Sequence, residues 1–244
     1  MLIDLSLPPG AFRNGTAYQA RGRFYDVNRV RWSGTALSPI GGWRLKTVST
    51  VSGKARSIVA WRDNSKVTWA GIGTHTKLYA MGLTGAVYDI TPVGFTAGAA
   101  DSVAAGGYGS GTYGSAEYGT PRADTAEIQP ASAWTLDTRG QNLVGCMEAD
   151  GKVYEWALNT ATPAAQITNS PTAAACFVTS EGAVVALGAS GNPRRVAFSD
   201  AEDDTIWTPS ATNTAGGFNL QTYGSLRCGK RIRNGNLLFT DLDV

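Results

Sequence analysis

The sequence predicts an all-β chain of β-propeller-like blades. Short antiparallel strands repeat in small sheets, after an extended N-terminal segment and around a long Tyr/Gly-rich loop. Three observations predict this. Strand-length apolar runs alternate with hairpin-type turns, no segment keeps a 3.6-residue apolar period for three turns, and a short unit recurs about three times. Composition agrees: 16% of the 244 residues are charged and 30 are glycine, a profile of tight turns rather than Lys- and Glu-rich helical surfaces. At 43% hydrophobic residues the chain has the material for a substantial core and is not disordered throughout.

Residues 1–54 read as an N-terminal arm and basic segment. Residues 1–60 hold nine Lys or Arg against Asp4 and Asp26, whereas the rest holds twelve basic and seventeen acidic residues. The formal net charge of +2 is too small to argue for nucleic-acid binding through phosphate neutralisation. In "RGRFYDVNRVRW" and its flanks, Arg13, Arg21, Arg23, Arg29 and Arg31 are interleaved with Phe24, Tyr25 and Trp32, and Trp43 follows in a glycine-rich stretch. Arginine and aromatic residues anchor protein interfaces, so these are candidate subunit-contact residues. An ordinary strand with solvated arginines stands as an equal reading, and nucleic acid stands behind both. The opening "MLIDLSLPPGAF" has no basic n-region, and no run approaches the roughly 20 apolar residues of a spanning helix. The expectation is a soluble protein made in the cytoplasm.

Residues 55–244 supply the blades. The runs "SIVAW", "KVTWAGI", "TKLYAM" and "AVYDI" come first, then "SAWTL", "NLVGCM" and "KVYEWAL", then "AACFVT", "AVVALG" and "RRVAFS", and last "NLLFT". Between them, turns such as "RDNS", "LTG", "DTRG", "EADG" and "RNGN" place Gly, Asn and Asp where hairpins need a positive φ. "GAVYDIT" at Gly85 aligns with "GKVYEWA" at Gly151, making Ala86–Ile90 and Val153–Ala157 the expected equivalent strands. In each, Tyr and the residue two positions on share one strand face and the acid points to the other. Trp61 and Asp63 are matched with Trp134 and Asp137, a looser third unit carries Phe198 and Asp200, and a fourth begins near Gly217. One such sheet cannot cover both its faces, and radial stacking solves this. "AVVAL", apolar at consecutive positions, suits a strand sandwiched between neighbours. A β-sandwich is the alternative architecture.

Residues 93–130 form an inserted loop in this reading, longer than the usual connection. Within it "GGYGSGTYGSAEYGTPR" places Tyr108, Tyr113 and Tyr118 five residues apart, a spacing that fits neither strand nor helix. Tyrosine offers large contact area with few rotatable bonds. The three are expected to anchor the loop on an adjacent subunit, with a floppy surface loop as the alternative.

A catalytic set does not emerge. The single histidine, His75, lies in the turn-like "GTHTKL". Asp200, Glu202, Asp203 and Asp204 offer paired carboxylates or calcium ligands, but lack the Asp-x-Asp-x-Asp-Gly alternation of a calcium loop. "GGYGSG" precedes neither a Walker lysine nor a helix. Cys146, Cys176 and Cys228 are odd in number and widely spaced, so buried reduced thiols are expected rather than zinc or disulfides. No catalytic, cofactor-binding or metal-binding residue is assigned, no cofactor is expected, and the chain does not read as an enzyme.

Three segments carry a resemblance: "LPPGAFRNGTAYQARGRFYDVNRVRWSGTALSPIGGWR", "YGSGTYGSAEYGTPR" and "RRVAFSDAEDDTIWTPSATNTAGGFNLQ". Together they resemble tail structural proteins of tailed bacteriophages, of the kind that form the nozzle or hub of a short tail. The resemblance implies a propeller-containing subunit in a homo-oligomeric, sixfold ring around a DNA channel, in the virion tail beneath an adaptor or portal. It also implies a longer protein of which this chain is the front part. Near-neutral charge suits a conduit through which DNA slides without sequence-specific binding. A virion structural protein is therefore expected, with a glycan-binding or glycan-cleaving β-propeller as the alternative.

Overall fold

The computed structural model describes residues 10–34, 36–42, 44–102 and 130–243. They divide into two compact units, Met1–Leu45 and Lys46–Val244. Among the described residues there is no α-helix, and no helix is long and apolar enough to cross a membrane.

In the first unit, turns between Thr16 and Arg23 bring Ala11 beside Phe24 in an isolated parallel bridge. Strands β1 (Val30–Ser33) and β2 (Ala36–Pro39) then form an antiparallel hairpin. Its turn begins at Gly34, where φ is +60°, a conformation glycine enters without steric cost. Trp32 pairs with Leu37 and Val30 with Pro39, while Arg31 pairs with Ser38 and Ser33 with Ala36. Because side chains alternate along a strand, one hairpin face is wholly apolar and the other carries Arg31, Ser33, Ala36 and Ser38. A two-stranded sheet of this kind is at best marginal unless its apolar face is covered.

The second unit is a series of antiparallel meanders. The first sheet contains β3 (Ala55–Arg62), β4 (Thr68–Thr74), β5 (Leu78–Gly82) and β6 (Val87–Asp89). The second contains β7 (Trp134–Arg139), β8 (Asn142–Met147), β9 (Val153–Trp156) and β10 (Ala165–Gln166). The third contains β11 (Ala175–Val178), β12 (Val184–Leu187), β13 (Arg195–Phe198) and β14 (Gly216–Asn219), and a two-stranded sheet follows from β15 (Leu226–Ile232) and β16 (Gly235–Thr240). Each expected strand run appears. Lys46–Lys54 fastens to the first sheet through the Val48 N–H on Gly85 O (2.8 Å) and the Ser52 N–H on the Tyr79 hydroxyl (3.0 Å).

Hydrogen bonding corrects the repeat alignment. Val87–Asp89 is the fourth strand of its sheet, whereas Val153–Trp156 is the third of the next. The counterpart of β9 is β5, setting Lys77-Leu78-Tyr79 against Lys152-Val153-Tyr154. Trp61 and Trp134 both lie on first strands but at opposite ends, and Asp63 sits in a turn where Asp137 sits within β7. Gly217 does not open a fourth unit; it lies in β14, hydrogen-bonded to β13, and the next sheet starts at Leu226.

First strands of successive sheets pack in chain order: β3 on β7, β7 on β11, β11 on β15. Strand alternation feeds one core on each side. In β8, Leu143 and Met147 enter the core shared with Leu78, Ile90 and Trp134, while Val144 and Cys146 enter the one shared with Val178 and Val184. In β12, Val184 and Ala186 face that second core and Val185 and Leu187 a third, with Phe177 and Leu226. This double burial is why "AVVAL" lacks polar alternation, and each large side chain so enclosed contributes about 1.5–3 kcal/mol. Close approach demands glycine at one point: a β-carbon on Gly73 would overlap the Trp134 ring, whose Nε1–H donates to Thr74 O at 2.8 Å.

Candidate functional site

The first unit presents its basic residues to solvent. Arg13, Arg21, Arg23, Arg29 and Arg31 are all exposed, as is Tyr25, and Phe24 and Trp32 are half-buried. Arg13 pairs with Asp26 at 3.1 Å, both largely exposed, and such a pair contributes little in water. The Arg21 guanidinium lies 5.3 Å from the Tyr18 ring centre, and Phe24 and Trp32 lie 5.7 Å apart. Ile40 N–H donates to Arg29 O (2.8 Å), extending the hairpin past Pro39, with Arg29 itself at φ +57°. Arginine and aromatic groups thus share one small unit, without a catalytic arrangement. Trp43, Tyr108, Tyr113 and Tyr118 lie outside the described residues.

In the second unit an apolar cleft of about 520 Å³ lies between the third sheet and the β15–β16 hairpin. Its floor is Phe177, Val185, Val196, Phe198 and Phe218, and Leu238 forms one wall. Phe218 is 50% exposed, unusual for a phenylalanine on a sheet face. Among the described residues β15 packs on β11 and β12, and the cleft opens beside it over the paired strands β13 and β14. Thr179, Glu181, Thr214 and Asn236 give the cleft its polar rim. The sequence offers no local signal for this cleft, since its lining spans Phe177 to Leu238.

The four acidic residues separate into distinct roles. Asp200 accepts from the Thr214 N–H and hydroxyl (both 2.7 Å), and Asp203 accepts from the Thr205 N–H (2.9 Å) and hydroxyl (2.6 Å). These bonds hold both carboxyls below the ordinary carboxylate range and make them turn-forming groups. Glu202 contributes its backbone carbonyl, which accepts from Arg139 Nη2 at 2.9 Å. Asp204 is buried, and its Oδ1 lies 3.7 Å from Arg139 Nη1, which also stands 4.0 Å from Glu155 Oε1. Glu155 accepts from Asn142 Nδ2 (3.1 Å), and burial first, then the Asp204 charge, hold it above the ordinary carboxylate range. Sequence reasoning missed Arg139, Asn142 and Glu155 as a cluster. Their signal was the alternation in "YEW", which buries Tyr154 and Trp156 and turns Glu155 to the opposite face. With Glu155 and Asp204 tied to one guanidinium, the cluster locks β7 and β9 to the loop after β13.

A second ionic contact joins first strands. Asp137, buried in β7, accepts from Val178 N–H of β11 (3.1 Å) and Thr138 N–H (3.0 Å), and Lys230 Nζ of β15 lies 3.3 Å away. His75 is part of a turn: its Nδ1 accepts from Lys54 N–H (3.0 Å) and its carbonyl from Gly98 N–H (2.7 Å). Cys146 and Cys176 are buried free thiols, whereas Cys228, expected to be buried, is exposed on β15. A β-bulge between Leu226 and Cys228 shifts the alternation, so Leu226 and Gly229 face inward and Cys228 outward. No family model matches the chain, and no curated protein or solved structure does.

Proposed function

We propose that the chain is a virion structural protein, a ring-forming subunit of a phage tail of the nozzle or hub type, and that its sheets are blades of a β-propeller. Four first strands packed in chain order, three leading four-stranded meanders and the last a hairpin, support the blade reading, because radial stacking covers sheets in that order. The observation that carries the assembly reading is the apolar cleft over β13 and β14, with Phe218 half exposed. An uncovered apolar surface with a polar rim is the mark of a protein-contact site. A second uncovered surface lies on the first sheet, where Ile58 is 69% exposed. Two unlike contact surfaces on one subunit give head-to-tail association, which makes a ring when the rotation between copies closes. The arginine and aromatic residues of the first unit serve the same assembly.

Electron microscopy and sedimentation velocity of the purified protein test this, and the expected result is a closed ring of several copies. Charge reversal at Arg21 and Arg23 weakens that ring. A protein that stays monomeric up to about 100 μM, a concentration at which even weak interfaces form, refutes the reading. So does a ring untouched by the charge reversal but altered in DNA retention, for the role given to the arm.

A further inference from the structure

We propose that the cavity beside β10, lined by Glu155 and Asp204, binds a primary alkyl ammonium group, the chemistry of a lysine side chain or of a free aliphatic amine. The inference goes beyond the ring-subunit reading and does not rest on it. It starts from Asp204, which is 8% exposed. Among the described residues no hydrogen bond reaches its carboxylate: Oδ2 is buried without a partner, and Oδ1 has only the Arg139 guanidinium at 3.7 Å. Arg139 Nε and Nη2 donate instead to the carbonyls of Gly182 (3.0 Å) and Glu202 (2.9 Å). The comparable acids are satisfied, Asp137 by the Val178 and Thr138 N–H groups, Asp200 by Thr214 and Asp203 by Thr205. Buried carboxylates need donors, so Asp204 marks a place where a donor belongs.

The cavity identifies the donor. Its volume is about 380 Å³, within the range of small-ligand sites. Glu155 stands opposite Ala165 in the β9–β10 pair, and Asn169 Nδ2 on Thr205 O at 3.2 Å holds the Asp204 turn against the chain after β10, so both carboxylates line one cavity. They share a single guanidinium, 4.0 Å from Glu155 Oε1 and 3.7 Å from Asp204 Oδ1. One negative charge is left over, and one monovalent cation neutralises it. Burial first, then the Asp204 charge, hold Glu155 above the ordinary carboxylate range, in keeping with that excess. A divalent metal ion lacks ligands: among the described residues no three His, Cys, Asp or Glu side chains come together, where calcium takes about six to eight oxygens. An ammonium brings N–H donors for the carboxylates, and Ala157, Pro163, Ala165 and Ile167 wall the methylene chain behind it.

The full-length protein is titrated with n-butylammonium chloride at constant ionic strength, and binding is read by saturation-transfer NMR on the ligand. The wild type gives a saturable signal with a millimolar Kd, the range open to one small ammonium, and tetramethylammonium, a cation without an N–H, gives none. Asp204→Asn weakens binding about 10-fold or more, as for loss of a charge-assisted hydrogen bond. Glu155→Gln, at a half-buried position, weakens it as well, and carries the test alone if Asp204→Asn does not melt cooperatively. Sedimentation velocity with and without n-butylammonium assigns the source. A site for a free amine leaves the association state as it is, whereas a site filled by a neighbouring chain's lysine gives it up and larger species dissociate. Three results overturn the proposal: no saturable signal up to about 50 mM, equal binding of tetramethylammonium, or a folded variant that binds like the wild type. A monomer that binds n-butylammonium refutes the ring reading and leaves this site standing; a ring that does not bind it does the reverse.

Discussion

Replacing Asp137 by alanine separates two explanations of how β7, β11 and β15 hold together. The carboxylate is buried, with 4% side-chain exposure, and accepts the Val178 N–H at 3.1 Å, while its Lys230 partner has 59% side-chain exposure. Removing the carboxylate strands the Val178 N–H, a buried donor in a buried residue, and an unpaired buried donor costs about 1–3 kcal/mol. Loss of a bond to a charged acceptor places the expected cost near the upper end, about 2–4 kcal/mol with the small cavity included. The Thr138 N–H is half-buried and regains water, and Lys230 is screened, so Lys230→Ala stays within about 0.5 kcal/mol. Asp137→Asn keeps an acceptor for Val178 and loses about 1 kcal/mol of charge assistance. Urea unfolding followed by tryptophan fluorescence measures all three, at constant m-value. If Lys230→Ala costs as much as Asp137→Ala, the ion pair holds the strands and the argument from the stranded N–H fails.

Gly73→Ala drives a methyl group into the Trp134 ring, and overpacking of this kind lowers stability by about 1–3 kcal/mol; an unchanged thermal midpoint refutes the tight approach of the first two sheets. With a thiol reagent, Cys228 reacts in the native protein, and Cys146 and Cys176 react only on unfolding, since both are buried and the neighbouring Cys176 thiol and burial push the Cys146 thiol up. Three equally fast thiols contradict the core described above. Glu155 has a raised pKa in the fold, so its protonated form is favoured there; its contribution is full below the unfolded value of about 4.3 and is lost as pH rises through the folded value. Glu155→Gln therefore gains stability relative to the wild type as melting is moved from pH 4 to pH 7, and a constant difference refutes the assignment.

Strands buried on both faces were legible in the sequence, because consecutive apolar residues bounded by Gly and Asp turns have few other readings. The alternation of Tyr154, Glu155 and Trp156 was legible too, and the structure sends each side chain to the expected face. β10 is two residues, Ala165–Gln166, with no β-branched side chain to signal it, and β14 opens on two glycines. Both are strands because a neighbour's edge recruits them, a tertiary effect that overrides propensity. The repeat alignment failed because similar short motifs occupy different strand positions, and only hydrogen-bond register distinguishes a third strand from a fourth. Neither the cleft nor the Arg139 cluster has a local signature, since stacking gathers its members from separate sheets.

The chain-order packing of first strands has a consequence for synthesis. Each meander finds its partner in the segment translated just before it, so stable layers accumulate as the polypeptide leaves the ribosome, without waiting for distant sequence. Loop-closure costs stay modest for the same reason. The Asp137 to Lys230 contact departs from this pattern, since it reaches past β11 and forms only after β15 emerges. It acts as a late clasp on a stack otherwise built one layer at a time.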